Sequence, residues 1–182
     1  GEVVVIAQSV GAVMVATWVH DYAPAIRGLV LASPAFKVKL YVPLARPGLA
    51  LWHRLRGLFF INSYVKGRYL THDRQRVASF NNDPLITRAI AVNILLDLYK
   101  TSERIVSDAA AITLPTQLLI SGDDYVVHRQ PQIDFYQRLR SPLKELHLLP
   151  GFYHDTLGEE NRAQAFEKMQ SFISRLYAVI QV

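Results

Sequence analysis

The chain has no cysteine among its 182 residues, which excludes disulfides, a thiol nucleophile and thiolate metal sites. It also has no uninterrupted apolar run near the roughly 20 residues that a membrane-spanning helix requires. Acidic residues are scarce over one long stretch. Between Phe36 and Arg76 lie Lys37, Lys39, Arg46, Arg54, Arg56, Lys66, Arg68, Arg74 and Arg76, opposed only by Asp73. Within a net charge of +5, that clustering reads either as a solvated basic surface or as one drawn to anionic lipid. No nucleic-acid motif accompanies it, so no nucleic-acid partner is expected. The opening Gly1-Glu2-Val3-Val4-Val5-Ile6 lacks the basic stretch of a signal peptide and reads as a strand. A chain that opens in a core strand is expected to be a portion of a longer polypeptide.

What is present is globular: 51% of residues are hydrophobic and 19% charged, enough to build a core at this length. The β-branched run Glu2–Ala7 predicts a strand buried on both faces, and Val10–Tyr22 a buried helix closed by Pro24. Arg27–Ala32, Thr116–Ser121 and Leu143–Leu149 predict three further strands. Pro131–Leu139 and Asn161–Ala178 have helical spacing. Strands alternating with helices imply an α/β architecture with a parallel sheet of about four strands. One connection is anomalous. Roughly 80 residues separate Ser33 from Ile112, far more than a βα loop needs. With helical patterns over Leu51–Ile61 and Leu85–Val106, the stretch reads as an inserted helical cap over 36–112, between core segments 1–35 and 113–182.

Chemistry concentrates at the predicted strand ends. Ala7-Gln8-Ser9-Val10-Gly11 sits at a strand-to-helix junction, where a sharp turn holds a serine exposed at the C-terminal edge of a sheet. Ser9 also fits a plain helix N-cap. A hydroxyl needs a base to take its proton and an acid to orient that base. His154 follows the fourth strand, and Asp123 and Asp124 follow the third, so all fall on the edge from which Ser9 projects. Spacing alone does not separate Asp123 from Asp124. His20, His53, His72, His128 and His147 lie in helix, strand or cap positions that suit the role less well. No metal site and no cofactor are expected.

These segments resemble the monoacylglycerol lipase and lysophospholipase branch of the α/β-hydrolases, which is similar in sequence to serine aminopeptidases. VVVIAQSVGA resembles that family's nucleophile turn, and LVLASPAF the strand leading into its cap. YLTHDRQRVASFNNDPLI resembles its cap segment, LPTQLLISGDDYVV its acid loop and LLPGFYHDTLGE its histidine loop. The resemblance spans essentially the whole chain and implies a partial α/β-hydrolase fold with Ser9, Asp124 and His154 as the catalytic triad. Asp124 is favoured because the family's acid precedes x-Val-Val. Two departures matter. Ala7 stands where the family carries Gly, and the family's early strands are absent, along with the His-Gly loop that supplies one oxyanion donor. The backbone N–H of Val10 would supply the other.

The reading expected from this is cleavage of a lipid-like ester, with Leu51, Trp52, Leu55 and Phe59 binding the acyl chain and Arg54 and Arg56 meeting a phosphate or an anionic membrane. Acyl transfer or peptide hydrolysis would use the same triad. A non-catalytic hydrolase-like binding module is the remaining reading.

Overall fold

The structure is a computed structural model that describes residues 2–42 and 44–178. Residues 1 and 179–182 of the expected core segments, and Pro43 of the expected cap, lie outside the described residues.

Four parallel strands form the sheet: β1 (Val4–Gln8), β2 (Gly28–Ala32), β5 (Thr116–Ser121) and β6 (Lys144–Leu149), in the order β1-β2-β5-β6. Among the described residues six α-helices accompany them: α1 (Ser9–Tyr22), α2 (Ala45–Arg56), α3 (Arg74–Asn82), α4 (Val92–Ser107), α5 (Gln130–Arg138) and α6 (Ala163–Ala178). The two-residue periodicity of the strands sorts side chains into two cores. Leu29, Leu31 and Leu118 face α1, α4 and α5, whereas Val30, Ala32 and Leu119 face α6 through Ala165, Met169, Phe172 and Leu176. Continuous apolar strands suit a sheet covered on both faces.

Two expectations about burial are corrected. β1 is an edge strand and only half-buried, with Ile6 45% exposed. α1 is buried on one face alone; Val10, Met14, Trp18 and Tyr22, spaced four apart, form an exposed stripe on the other. Both follow from β1 having a single sheet neighbour among the described residues.

The connection from β2 to β5 carries α2, α3, α4 and a two-stranded antiparallel ribbon of β3 (Phe60–Asn62) with β4 (Ala89–Ala91). The first predicted helical pattern is therefore displaced, running over Ala45–Arg56, and the second starts later than expected, at Val92. α2 stops at Arg56 because Gly57 takes φ +77°, a conformation glycine adopts without a Cβ penalty, and its N–H closes on His53 O at 2.8 Å. Phe60–Ile61 then pairs across to Ile90–Ala91. α4 packs against α1 and α5, and its Ile105 and Val106 enter the same core as Leu29 and Leu31. No helix among the described residues is long and apolar enough to cross a membrane.

Candidate active site

The end of β1 and the start of α1 share one residue boundary, and Ser9 bears the strain of it. Its φ is +56°, a left-handed backbone that costs a non-glycine residue about 1–3 kcal/mol and persists only where the surroundings impose it. A plain N-cap has extended backbone; here that position is Gln8 (φ −126°, ψ 148°), and Ser9 is already the first helical residue. Ala7 is accommodated with its methyl packed against the core. A Cβ added at Gly11 would meet nothing within 4 Å among the described residues.

The acid loop follows β5. Asp124 Oδ1 accepts the N–H groups of Val126 (2.7 Å) and Val127 (2.9 Å), an Asx-type turn that leaves Oδ2 free to face inward. Segment 37–39 fastens this loop from outside: Lys39 N–H donates to Val126 O and His128 N–H to Lys37 O, each at 2.8 Å. Asp123 is exposed and engages Phe152 O only through its backbone N–H.

The histidine loop follows β6 and is laced to the acid loop by Gly122. The Gly122 N–H donates to Leu149 O at 2.8 Å, and an added Cβ would lie 2.9 Å from Pro150 Cα, so only glycine admits this approach. His154 is 5% exposed and Asp124 8%. His154 Nδ1 donates to Asp124 Oδ2 at 2.8 Å, which leaves Nε2 to accept the Ser9 hydroxyl at 2.7 Å. Three residues separated by 115 and 30 positions thus form one hydrogen-bonded chain from carboxylate to hydroxyl. Screening by water is weak at this burial, so the carboxylate acts strongly on the ring. Val10 lies in the first turn of α1, where backbone N–H groups lack intrahelical acceptors and the helix end is positive.

Hydroxyls not singled out in the sequence hold the strand ends together. Thr156 Oγ1, fully buried, lies 2.8 Å from Ser33 Oγ and 2.9 Å from Ser121 Oγ, and Ser33 Oγ accepts the Ser121 N–H at 3.2 Å. The ends of β2 and β5 are thereby tied to the residue two beyond His154. Serines and threonines in loops are common, and only their meeting in space marks these three.

Ser9 and Val10 open on an apolar cleft of about 700 Å³. Its walls are Val13, Met14 and Trp18 of α1, Ile94, Leu95 and Leu98 of α4, Ile61 and Ile90 of the two-stranded ribbon, and Val126 and Val127 beside the acid. A second cavity of about 990 Å³ extends under α2 and shares Leu40, Ile61, Asn62 and Tyr64 with the first. Tyr64 donates to Lys39 O, and its burial keeps the phenol neutral by raising its pKa well above the usual range.

The structure does not bring Leu51, Trp52, Leu55 and Phe59 to either cavity. Leu51, Trp52 and Leu55 are 61%, 47% and 70% exposed, because α2 turns Ala45, Gly48 and Leu49 inward and these three outward. Phe59 is half-buried against His53. Among the described residues, no three His, Asp or Glu side chains cluster closely enough to hold a metal ion.

The sequence matches the family described as serine aminopeptidase, S33, over residues 1–161. It is 96% identical over 177 residues to the uncharacterized protein YnbC of Escherichia coli (strain K12), covering 97% of the chain but 30% of that protein. It is 26% identical over 176 residues to phospholipase YtpA of Bacillus subtilis (strain 168), covering 93% of the chain and 67% of the relative. Among solved structures, a monoacylglycerol lipase from Paleococcus ferrophilus superposes with a TM-score of 0.84 at 18% identity, over 94% of this chain and 68% of that one. A soluble variant of monoglyceride lipase from Saccharomyces cerevisiae gives 0.83 at 16%, over 94% and 61%. At those identities the likeness is one of fold: the parallel sheet and its helices are those of an α/β-hydrolase.

Proposed function

The chain belongs to the serine aminopeptidase S33 family, α/β-hydrolases, and from that premise we propose that it cleaves carboxylic esters of lipid-like substrates, monoacylglycerols or lysophospholipids, through an acyl-enzyme on Ser9. One observation carries the reading: a hydroxyl hydrogen-bonded to a buried His-Asp pair opens directly on an apolar cleft large enough for an acyl chain. The 26% identical relative is a phospholipase, which is in keeping with it.

In the proposed mechanism, Ser9 Oγ attacks the acyl carbonyl carbon while its proton passes to His154 Nε2. Asp124 stabilises the imidazolium and fixes the ring tautomer. The Val10 N–H stabilises the oxyanion. As the tetrahedral intermediate collapses, the proton moves from Nε2 to the departing alkoxide and leaves the acyl group on Ser9. A water molecule, deprotonated in turn by His154, adds to the acyl carbon and releases the carboxylic acid, restoring Ser9. Acyl transfer would replace that water by another acceptor; product analysis with added alcohols and amines separates the two.

The acyl chain is assigned to the apolar cleft. Leu51, Trp52 and Leu55 are assigned instead, with Arg54 and Arg56, to contact with an anionic membrane: this face of α2 is exposed, and the Arg56 guanidinium stacks 4.6 Å from the Trp52 ring centroid. Rates are expected to rise from acetyl to long-chain esters, and to be higher with anionic than with zwitterionic vesicles as carrier. A preference for acetyl esters would remove the lipid reading, and indifference to lipid charge would remove the membrane contact.

The second oxyanion donor is proposed to come from a further segment of the same polypeptide, which would lie against the β1 edge where Ile6 is exposed. One such donor elsewhere contributes about 10²–10³ in turnover, so the chain alone is expected to be slower than the full-length protein by about that factor. Equal rates would refute it.

A further inference from the structure

We infer that Glu159 is a positioning residue for His154, holding the histidine loop in register with Ser9 by clasping the inserted segment Thr71–His72; the inference rests on the hydrolase reading above. Glu159 stands five residues after His154, beyond a 3-10 turn at Thr156–Gly158, and is 2% exposed. A carboxylate so deeply placed requires partners, and both of its oxygens have them. Oε1 accepts the Tyr153 N–H at 2.8 Å and lies 2.9 Å from His72 Nδ1. Oε2 accepts the N–H groups of His72 (3.0 Å) and Glu160 (2.9 Å) and lies 3.2 Å from Thr71 Oγ1. The residue immediately before His154 is thus joined through one charge to a segment some 80 positions earlier. The rings of His72 and Tyr153 stack with centroids 3.9 Å apart over the same contact. Burial works to raise the Glu159 pKa, but the N–H groups of Tyr153, His72 and Glu160 and the His72 side chain outweigh it and hold the carboxyl below its usual range, so the clasp is charged at neutral pH.

The other flank of His154 is fastened to the same part of the insert. Asp155 N–H donates to Leu70 O at 2.8 Å. Asp155 Oδ2 accepts Arg76 Nε at 2.9 Å, and Oδ1 accepts Gln8 Nε2 at 2.9 Å. Gln8 is the residue before Ser9. A methyl added at Gly158 would fall on the Arg76–Asp155 contact. The base is therefore bracketed by two carboxylates gripping Leu70–Arg76, neither touching the reacting atoms; the acid partner of its Nδ1 remains Asp124. Displacement of a catalytic group by about 1 Å costs on the order of 10²-fold in rate. Glu159 and His72 line neither large cavity, so loosening the clasp is a matter of kcat and not of substrate binding.

The test uses the full-length protein, with kcat expressed per site titrated by a fluorophosphonate. Glu159→Gln is expected to lower kcat by about 10- to 100-fold and leave KM within about twofold. His72→Ala removes the insert's side of the clasp at a residue whose side chain is 43% exposed, so it remains informative if Glu159→Gln fails to fold, and a smaller loss in kcat is expected. The double variant should be no slower than Glu159→Gln alone, because both changes break one connection. An unchanged kcat in His72→Ala, a loss confined to KM, or multiplied losses in the double variant would overturn the clasp. If the wild type labels on Ser9 while the variants are unaffected, the clasp alone fails; a wild type that does not label removes the hydrolase reading and the clasp with it.

Discussion

Replacing Ser9 by alanine is expected to lower kcat for ester cleavage by about 10⁶-fold, the loss seen when the nucleophile of a serine hydrolase is removed. The expectation follows from geometry. Ser9 Oγ is the group that faces His154 Nε2, at 2.7 Å, and it stands where the backbone is strained to φ +56°. Alanine keeps the strain, the cleft and the helix N-terminus, so KM and folding should change little. The comparison is made by steady-state kinetics on a medium-chain ester, with thermal unfolding of both proteins as the control. Turnover within about tenfold of wild type would mean that another group performs the attack.

Exchanging Asp124 for asparagine should cost about 10⁴-fold in kcat, for a reason that concerns proton placement more than charge. The Val126 and Val127 N–H groups hold Oδ1. In Asp124→Asn the oxygen must stay with those donors, which turns the amide NH₂ toward His154 Nδ1. That nitrogen must then accept, so the ring proton moves to Nε2, and the nitrogen facing Ser9 can no longer take its proton. Asp123→Asn is the matched control. Asp123 is exposed and its side chain makes no hydrogen bond among the described residues, so a change within about twofold is expected. If Asp123→Asn were the more damaging of the two, the acid would be wrongly assigned.

Legibility in the sequence followed the physical range of each signal. Buried parallel strands are short apolar runs, and those ending in Ala32, Ser121 and Leu149 were visible to within a residue or so. Ser9, Asp124 and His154 stood out because strand ends in such a sheet share one edge, and the structure brings their side chains together there. The choice between Asp123 and Asp124 was open from spacing and came from resemblance; in space only Asp124 is buried against the histidine.

Signals that depend on tertiary pairing were lost. β3 and β4 are three residues each, and the apolar residues Phe60, Ile61 and Ile90 look like continuations of flanking helices until their cross-strand partners are known. Helical spacing marks an apolar stripe on α2 but does not say which side the cavity takes, so it does not separate the outward Leu51, Trp52 and Leu55 from the inward Ala45, Gly48 and Leu49. The half-exposure of β1 and α1 depends on which elements adjoin them in space. Glu159, by spacing, is one more acid after a loop; its burial becomes apparent only when Thr71 and His72 arrive from the connection between β2 and β5.

The central claim is that a buried imidazole activates one hydroxyl, and covalent capture tests it most directly. Full-length protein is treated with a fluorophosphonate, digested, and the adduct mapped by mass spectrometry, with His154→Ala in parallel. A single adduct on the peptide carrying Ser9, nearly absent in His154→Ala, is the predicted result. A folded protein that takes up no reagent, takes it up at another residue, or labels equally well without the imidazole would contradict it.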